Sequence, residues 1–321
     1  MHKWKNLLHK LGSFTIFFIL IFGFFNIFFN VETCSAKNGN MLYVGGTGIG
    51  NYTAIQDAID NSSDNDIVFV YNGTYNETIV INKSINLVGF NKNSTFIKGN
   101  KSLYIILIKS SWVDITGFTI QDGKAGIYIS GPDYSFNNIT ANIISNNWEG
   151  IRLYNSSNNK ITQNIIKDHG FGIVLYESKN NHINLNNFTD NTKAIYLSRW
   201  SNNNNIYYNN FTGSTFGISL DYSFNNMIYE NSITNGTKGV YLSYSHNNNI
   251  TNNTIEFNDE CGIYLGNSDD NVVSPNTFFN NPQDVKERPK PPGIKAPGFE
   301  ILFIICALLF VLFLRKKILK F

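Results

Sequence analysis

Apolar and polar residues alternate along this chain in short runs, and the runs recur about every 22 residues. The plainest marker is a Gly-Ile-x-Leu segment at Gly150-Ile151-Arg152-Leu153. It returns at Gly172-Ile173-Val174-Leu175, Ala194-Ile195-Tyr196-Leu197, Gly217-Ile218-Ser219-Leu220, Gly239-Val240-Tyr241-Leu242 and Gly262-Ile263-Tyr264-Leu265. An apolar column runs in step: Ile139, Ile161, Ile183, Ile206, Ile228, Ile250 and Val273. Three residues after each comes an asparagine, namely Asn142, Asn164, Asn186, Asn209, Asn231, Asn253 and Asn276. Two residues further on stands another apolar side chain: Ile144, Ile166, Phe188, Phe211, Ile233, Ile255 or Phe278. A fixed period in this range is the signature of a solenoid whose units stack only on their neighbours.

Within each unit the apolar residues lie one or two apart, broken by Asn, Asp, Gly and Ser. That is strand periodicity, and no repeat carries the i, i+3, i+4, i+7 spacing of a helix. Leucine-rich repeats share the period but are Leu-dominated with one strand per unit. Here the frame is Ile-rich with three short strands per unit, which predicts an all-β, right-handed parallel β-helix. Each coil would hydrogen-bond to the next at about 4.8 Å, so about ten coils make a stack roughly 45–50 Å long. Like then stacks on like, and the asparagine column becomes an internal amide ladder that satisfies itself without charge. Asn and Gly also tolerate the left-handed backbone that tight turns between strands require. A second column, Asn137, Asn159, Asn181, Asn204, Asn226, Asn248 and Asn271, marks another turn, and one-residue insertions near Trp200 and Asp259 should bulge at turns.

Upstream the repeat loosens. Val113, Ile115, Phe118 and Ile120 form a degenerate coil with Phe118 in the place of the ladder asparagine, and Ile67–Val70, Ile79–Ile81, Ile85–Val88 and Ile105–Ile108 read as earlier strands. Asn51 to Asp60 is the one amphipathic helix outside the termini: Ala54, Ile55, Ala58 and Ile59 share a face, with Asn51 or Thr53 placed to cap it. It is positioned to cover the open core of the first coil. The organisation expected is thus a signal peptide over 1–36, an N-terminal strand and capping helix over 37–65, the β-helix over 66–281, a Pro-rich linker over 282–299 and a transmembrane tail over 300–321.

The ends carry the expected location. Lys3, Lys5 and Lys10 precede an apolar run from Phe14 to Val31 and then Cys34-Ser35-Ala36, the layout of a secretory signal cleaved after Ala36, or of an uncleaved anchor. Ile301 to Leu314 is uninterrupted apolar sequence followed by Arg315-Lys316-Lys317, which by the positive-inside rule leaves the β-helix outside the cell. Seven of the 25 Lys and Arg lie in these two ends, and the remainder carries 18 cations against 21 anions. A net charge near −3 with no basic face argues against nucleic acid as a partner. After cleavage behind Ala36, Cys261 would be the only cysteine ahead of the apolar tail, so an intrachain disulfide is excluded there. Asn-x-Ser/Thr sequons are abundant, among them Asn51, Asn72, Asn76, Asn82, Asn138, Asn155, Asn187, Asn210, Asn235 and Asn249, acceptors for glycans in an exported protein.

The segments Val44-Gly45-Gly46, Tyr52 to Ile59, Val70 to Glu77 and Ile85 to Gly89 resemble the N-terminal cap and first coils of pectin-lyase-like β-helices. The following repeats resemble the NosD-type and carbohydrate-binding/sugar-hydrolysis β-helix repeats common in surface proteins of methanogenic archaea, over roughly Met41 to Asn281. Pro297-Gly298-Phe299 before the apolar tail resembles a C-terminal sorting signal of archaeal surface proteins, in which the tail is removed and replaced by a lipid. The resemblance implies a fold that hosts polysaccharide lyases, esterases, adhesins and a copper-maturation protein, and leaves the chemistry to be argued from residues.

Copper would need clustered Cys, Met and His, whereas Cys261, Met41, Met227, His169, His182 and His246 are scattered over different columns. Lyase chemistry needs clustered carboxylates, a calcium ion and a base. The nearest approach is Asp168 and Asp190, which would stack on adjacent coils with His169 beside them and Arg152 or Lys193 nearby; these are the catalytic candidates, and Ca²⁺ between the two aspartates is the one metal the pattern allows. The same column holds Asp122, Asn146, Gly213 and Asn235, which turn chemistry alone explains and which is the preferred account. No other cofactor is expected: Gly45-Gly46-Thr47-Gly48-Ile49-Gly50, with Asp66 about 20 residues on, mimics a dinucleotide loop but is followed by solenoid rather than a βαβ unit. The outward residue of each Gly-Ile-x-Leu segment is more informative. It reads Tyr128, Arg152, Val174, Tyr196, Ser219, Tyr241 and Tyr264, with Tyr154 and Tyr176 two residues later and Glu149, Phe171, Lys193 and Lys238 three before. Tyr is favoured on strand surfaces generally, but Tyr154, Tyr176, Tyr196, Tyr241, Tyr264 and Phe171 together make a candidate glycan-binding face. The function expected is therefore structural, adhesive or glycan-binding in the cell envelope, with envelope polysaccharide, surface proteins and the membrane as partners; the alternative is a polysaccharide lyase or hydrolase.

Overall fold

A computed structural model describes residues 39–288; the segments expected as signal peptide and membrane tail, and most of the Pro-rich linker, lie outside the described residues. The described chain is a right-handed parallel β-solenoid made of three sheets of ten strands each. Sheet A runs from Met41–Val44 to Asn249–Thr251, sheet B from Gly73–Tyr75 to Thr277–Phe279, and sheet C from Ile79–Ile81 to Val285–Glu287. A typical coil is Asn138–Thr140 in sheet A, Ile143–Ser145 in sheet B and Glu149–Tyr154 in sheet C. Register is exact in kind as well as position: Ile139 pairs with Ile161, Ile161 with Ile183 and Ile151 with Ile173. The inward residues of all three sheets are fully buried and merge into one continuous core, in which Phe188 and Phe211 stack at 4.7 Å. The strands Gly73–Tyr75 and Thr95–Lys98 carry no clear alternation in sequence and become visible only through their pairing in sheet B.

The turns work differently from the sequence expectation. The ladder asparagines themselves do not take the left-handed backbone; the residue before each one from Asn142 to Asn253 does. Ala141, Gln163, Leu185, Tyr208, Glu230 and Asn252 have φ between 54° and 57°. Each following asparagine clamps that turn: the Asn231 amide Nδ2 donates to Tyr229 O at 3.1 Å, two residues back, and to Ile206 O at 2.9 Å on the previous coil. Its Oδ1 accepts the Asn209 backbone N–H at 3.0 Å, and its Nδ2 also reaches Asn253 Oδ1 at 2.9 Å. The degenerate coil ends the ladder, since the Phe118 N–H donates to Asn142 Oδ1 at 3.1 Å while its ring fills the core. The second asparagine column makes the same ladder, Asn159 N–H to Asn181 Oδ1 at 2.8 Å.

The glycines of the Gly-Ile-x-Leu segments are likewise not turn residues. They lie within sheet C strands, where a Cβ on Gly150 would sit 2.4 Å from Gly172 O and one on Gly239 would sit 2.6 Å from Gly262 O. Close approach of the next coil, not backbone sign, keeps this position small, glycine in every one of these segments but the one that holds Ala194. The two insertions do fall in turns: Arg199 and Trp200 are both left-handed, and Asp259 lengthens the turn before Cys261–Gly266.

The helix is shorter than expected, Ile55–Asn61, with Ile55, Ala58 and Ile59 buried against the first coil. Its cap is neither Asn51 nor Thr53. The N-cap position is Ala54, and the carboxylate of Glu77 accepts the Ile55 and Gln56 N–H groups at 3.0 and 3.1 Å. A negative group at this end also interacts favourably with the helix dipole.

Asn231→Ala should lower stability by roughly 2–4 kcal/mol, because it leaves several buried backbone and amide groups unsatisfied. Glu77→Ala should cost about 1 kcal/mol through the lost cap. Urea unfolding followed by circular dichroism measures both, with Asn231 expected to be the more damaging site.

Candidate binding face

Sheet C differs from its neighbours in strand length, and that length builds a face. From Ala125–Ser130 to Cys261–Gly266 its strands have six residues, against three in the corresponding strands of sheets A and B. Alternation sends Ile and Leu inward and leaves three outward columns. The register aligns Glu149, Phe171, Lys193, Phe216 and Lys238 in the first; Tyr128, Arg152, Val174, Tyr196, Ser219, Tyr241 and Tyr264 in the second; and Tyr154, Tyr176, Ser198 and Asp221 in the third.

Cations and rings interleave along this face. The Arg152 guanidinium lies 5.7 Å from the Tyr128 ring and 5.6 Å from that of Tyr176, and holds Glu149 at 2.8 and 3.1 Å. Burial works against its charge, yet the Glu149 carboxylate outweighs that and raises its pKa. Lys193 sits among three rings, 4.2 Å from Tyr196 and 5.7 Å from both Phe171 and Phe216. Among the described residues it forms no ion pair within 4 Å; desolvation lowers its pKa, partly opposed by Asp221. Tyr196, its pKa raised first by burial, donates to Ser198 Oγ at 3.3 Å and approaches Asp221 at 3.4 Å. Further along, Lys238 and Lys286 both pair with Glu260, whose pKa falls in consequence. Tyr241 and Tyr264 stack at 5.2 Å and Tyr154 and Tyr176 at 6.0 Å. Stacked rings cover part of each other's faces, so these two pairs offer less open ring face than isolated tyrosines would.

The structure therefore brings Tyr154, Tyr176, Tyr196, Tyr241, Tyr264, Phe171, Arg152 and Lys193 onto one surface. It does not bring the carboxylate candidates there. Asp168 and Asp190 are exposed residues of the turn between sheets B and C with φ of 62° and 53°, the same left-handed position as Asn146, Gly213 and Asn235. Asp168 faces Lys167 at 3.8 Å. No group of three or more His, Cys, Asp or Glu able to hold a metal occurs among the described residues.

His169 needs correcting as a catalytic candidate. It points inward from the turn that sends Asp168 outward, and it takes an asparagine's place in a third ladder with Asn147 and Asn191 that the sequence had not revealed. Nδ1 accepts the Asn147 N–H at 3.1 Å, which puts the proton on Nε2, where it donates to Ile144 O at 3.0 Å. Burial pushes its pKa down against two backbone contacts. Both nitrogens are spent on structure, leaving none for a proton transfer or a metal.

Sequence reasoning also missed a serine ladder, in which Ser178 N–H donates to Ser201 Oγ at 3.2 Å, and the face residues Phe216 and Arg199. Phe216 had a signal: it precedes Gly217 as Phe171 precedes Gly172. Arg199 had none, since only the bulge at Trp200 carries it to 4.8 Å from the Tyr176 ring.

A long parallel β-solenoid with one aromatic and cationic face is the class these features define. The profile of the NosD family, described as periplasmic copper-binding protein, matches residues 59–236 and again 171–294, and the chain belongs to that family. A cell surface glycoprotein of Methanothermus fervidus is 38% identical over 98 residues, a stretch comprising 30% of this chain and only 15% of that relative. Among solved structures, the Dettilon tailspike protein superposes with a TM-score of 0.52 at 14% identity, over 77% of this chain and 62% of its own. The enzymatically active domain of tailspike protein 2 from bacteriophage CBA120 gives 0.59 at 15% identity, over 78% and 46%. At such identities the likeness is one of fold.

The described residues do not fit the copper of the family description. His169 is consumed by its ladder; Cys261 is alone and buried, its thiol pKa pushed up by that burial. His182 and Met227 share an outward column of sheet A but are separated by Asn205. His246 accepts the Asp269 N–H at 2.9 Å and stacks on Phe224. A soft or imidazole-rich set of converging donors, which copper requires, is not assembled.

His169 makes stability pH-dependent with a definite sign. Its folded pKa is depressed, so its contribution is present above the unfolded value near 6.5 and is lost as pH falls below that. Thermal melts from about pH 7.5 to 5 should show an acid-sensitive component that His169→Asn, which keeps the ladder, removes.

Proposed function

We propose that the protein is a non-catalytic β-helix of the cell envelope whose sheet C face holds a polysaccharide chain running along the solenoid axis. The observation that carries this is the run of tyrosine hydroxyls, cations and carboxylates along the outer columns of sheet C, at coil-by-coil spacing. Because the rings stack on one another, recognition falls to hydroxyls and charged heads hydrogen-bonding along the glycan, more than to sugar rings lying on aromatic faces. The cell surface glycoprotein relative and the family's periplasmic description support an extracellular or envelope location. The apolar run 301–314 with Arg315-Lys316-Lys317 after it supports attachment to the membrane by that end, or by a lipid that replaces it, with the coils outside. No helix among the described residues is long and apolar enough to cross a membrane.

Combined Tyr154→Ala, Tyr176→Ala and Tyr196→Ala should weaken retention on cell-wall polysaccharide at least about tenfold, equivalent to ~1.4 kcal/mol, with an unchanged melting temperature as the control for folding. Tyr196→Phe, Tyr241→Phe and Tyr264→Phe together should also lose affinity if the hydroxyls recognise the chain. Retention by the triple alanine variant equal to that of the parent protein would overturn the proposal.

A further inference from the structure

The abundant sequons are not spread evenly over the solenoid. The ten strands of sheet C contain neither an asparagine nor a threonine, in a chain whose other two sheets carry both on their outer surfaces. Outside sheet C, several sequons share one geometry. In Asn155-Ser156-Ser157, Asn235-Gly236-Thr237 and Asn252-Asn253-Thr254 the asparagine is an exposed turn residue with φ of 49°, 58° and 56°. The middle residue is the inward one, buried in its column, so the asparagine and the hydroxyl residue flanking it both remain at the surface. Asn72-Gly73-Thr74 on the first coil also exposes its asparagine and threonine. The strand sequons on sheet A differ: Asn138 and Asn249 are only half-buried and their Oδ1 atoms are sealed from solvent, whereas Asn187 and Asn210 on sheet B are exposed.

We infer that the folded protein is N-glycosylated at the turn asparagines Asn72, Asn155, Asn235 and Asn252, while Asn138 and Asn249 stay unmodified and the outer face of sheet C stays bare as the contact face. The sugar comes from a lipid-phosphate-linked oligosaccharide. The side-chain Nδ2 bonds to the sugar C1, the C1–O bond to the lipid phosphate breaks, the phosphate leaves with the electron pair, and the amide proton is released; no oxidation or reduction occurs. Exposed turn asparagines suit this transfer because their side chains stand clear of the strands, whereas on sheet A the Oδ1 atoms of Asn138 and Asn249 are buried against neighbouring coils. Glycans then cover the turns and leave one side of the solenoid accessible, which explains why the one sheet with a tyrosine and cation face is also the one without acceptors. The inference rests on the envelope location proposed above and extends it to a modification pattern.

The test is glycopeptide mapping by mass spectrometry of the full chain made in a host that N-glycosylates exported proteins, with the protein recovered separately from envelope and cell interior. Glycans at the four turn sites and none at Asn138 or Asn249 are expected. Equal occupancy of Asn138 and Asn235 would overturn the assignment, because transfer would then precede folding. Envelope-located protein that is bare at all four sites would overturn the modification while leaving the location intact. Bare protein found only inside the cell would overturn the location and this inference with it. A second variant tests the bare face: Tyr241→Asn creates a sequon with Ser243 on sheet C, whereas Tyr241→Gln does not. The glycosylated Tyr241→Asn protein should lose polysaccharide retention well beyond Tyr241→Gln, and equal retention by the two would overturn the claim that this face must stay bare.

Discussion

One side-chain amide, repeated down the solenoid, makes the rest of the structure possible. Each ladder asparagine closes the turn that precedes it, ties its coil to the previous one through a backbone carbonyl, and receives the previous coil's N–H on its Oδ1. Asn164 shows the whole set, donating to Thr162 O and Ile139 O and accepting from the Asn142 N–H at 3.0 Å. A parallel stack of short strands otherwise leaves unpaired peptide groups at every corner, each costly to bury. The ladders satisfy those groups from inside the core. Serine does the same at one corner and His169 does it at another, so the task is defined by an inward acceptor, helped by an inward donor, and not by asparagine as such.

Because the clamp holds the turn, the residue before it is released from the usual preference for Asn or Gly. Leu185 and Tyr208 take left-handed backbone that isolated residues of their type avoid. The same release operates on the long strands of sheet C. Their inward Ile and Leu columns and their glycines secure the packing, and the outward columns are free to vary coil by coil. What they carry is not the Asn and Thr of the other sheets but Tyr, Phe, Lys and Arg. Arg152 and Lys238 are neutralised by Glu149 and Glu260, while Lys193 sits among rings and forms no ion pair with the other described residues. The ion pairs of Arg152 and Lys238 and the ring contacts fix the positions of these side chains before any ligand arrives, which lowers the entropic cost of binding.

Membership of the NosD family and the absence of a copper-competent donor set among the described residues are compatible, since solenoid coils accept new surfaces without altering the ladders beneath. The period, the three strands per coil and the two asparagine columns were legible because every coil repeats them. The strands Gly73–Tyr75 and Thr95–Lys98 were not, because their sequences carry no clear apolar alternation and only pairing within sheet B shows them. Glu77 as a helix cap was illegible for a related reason: it stands 22 residues from Ile55 and meets it only once the first coil closes. Asp168 and His169 are adjacent in sequence, and nothing in that adjacency says that one side chain faces solvent and the other the core.

The sequence by itself determined the solenoid, its core columns and the placing of tyrosines on one strand face, because those follow from a local period and from alternation. Only the tertiary structure decided which residue of each turn is left-handed, that His169 serves a ladder, and that the tyrosine rings stack with cations between them. These depend on what the next coil presents about 5 Å away, and one coil's sequence does not contain its neighbour's geometry.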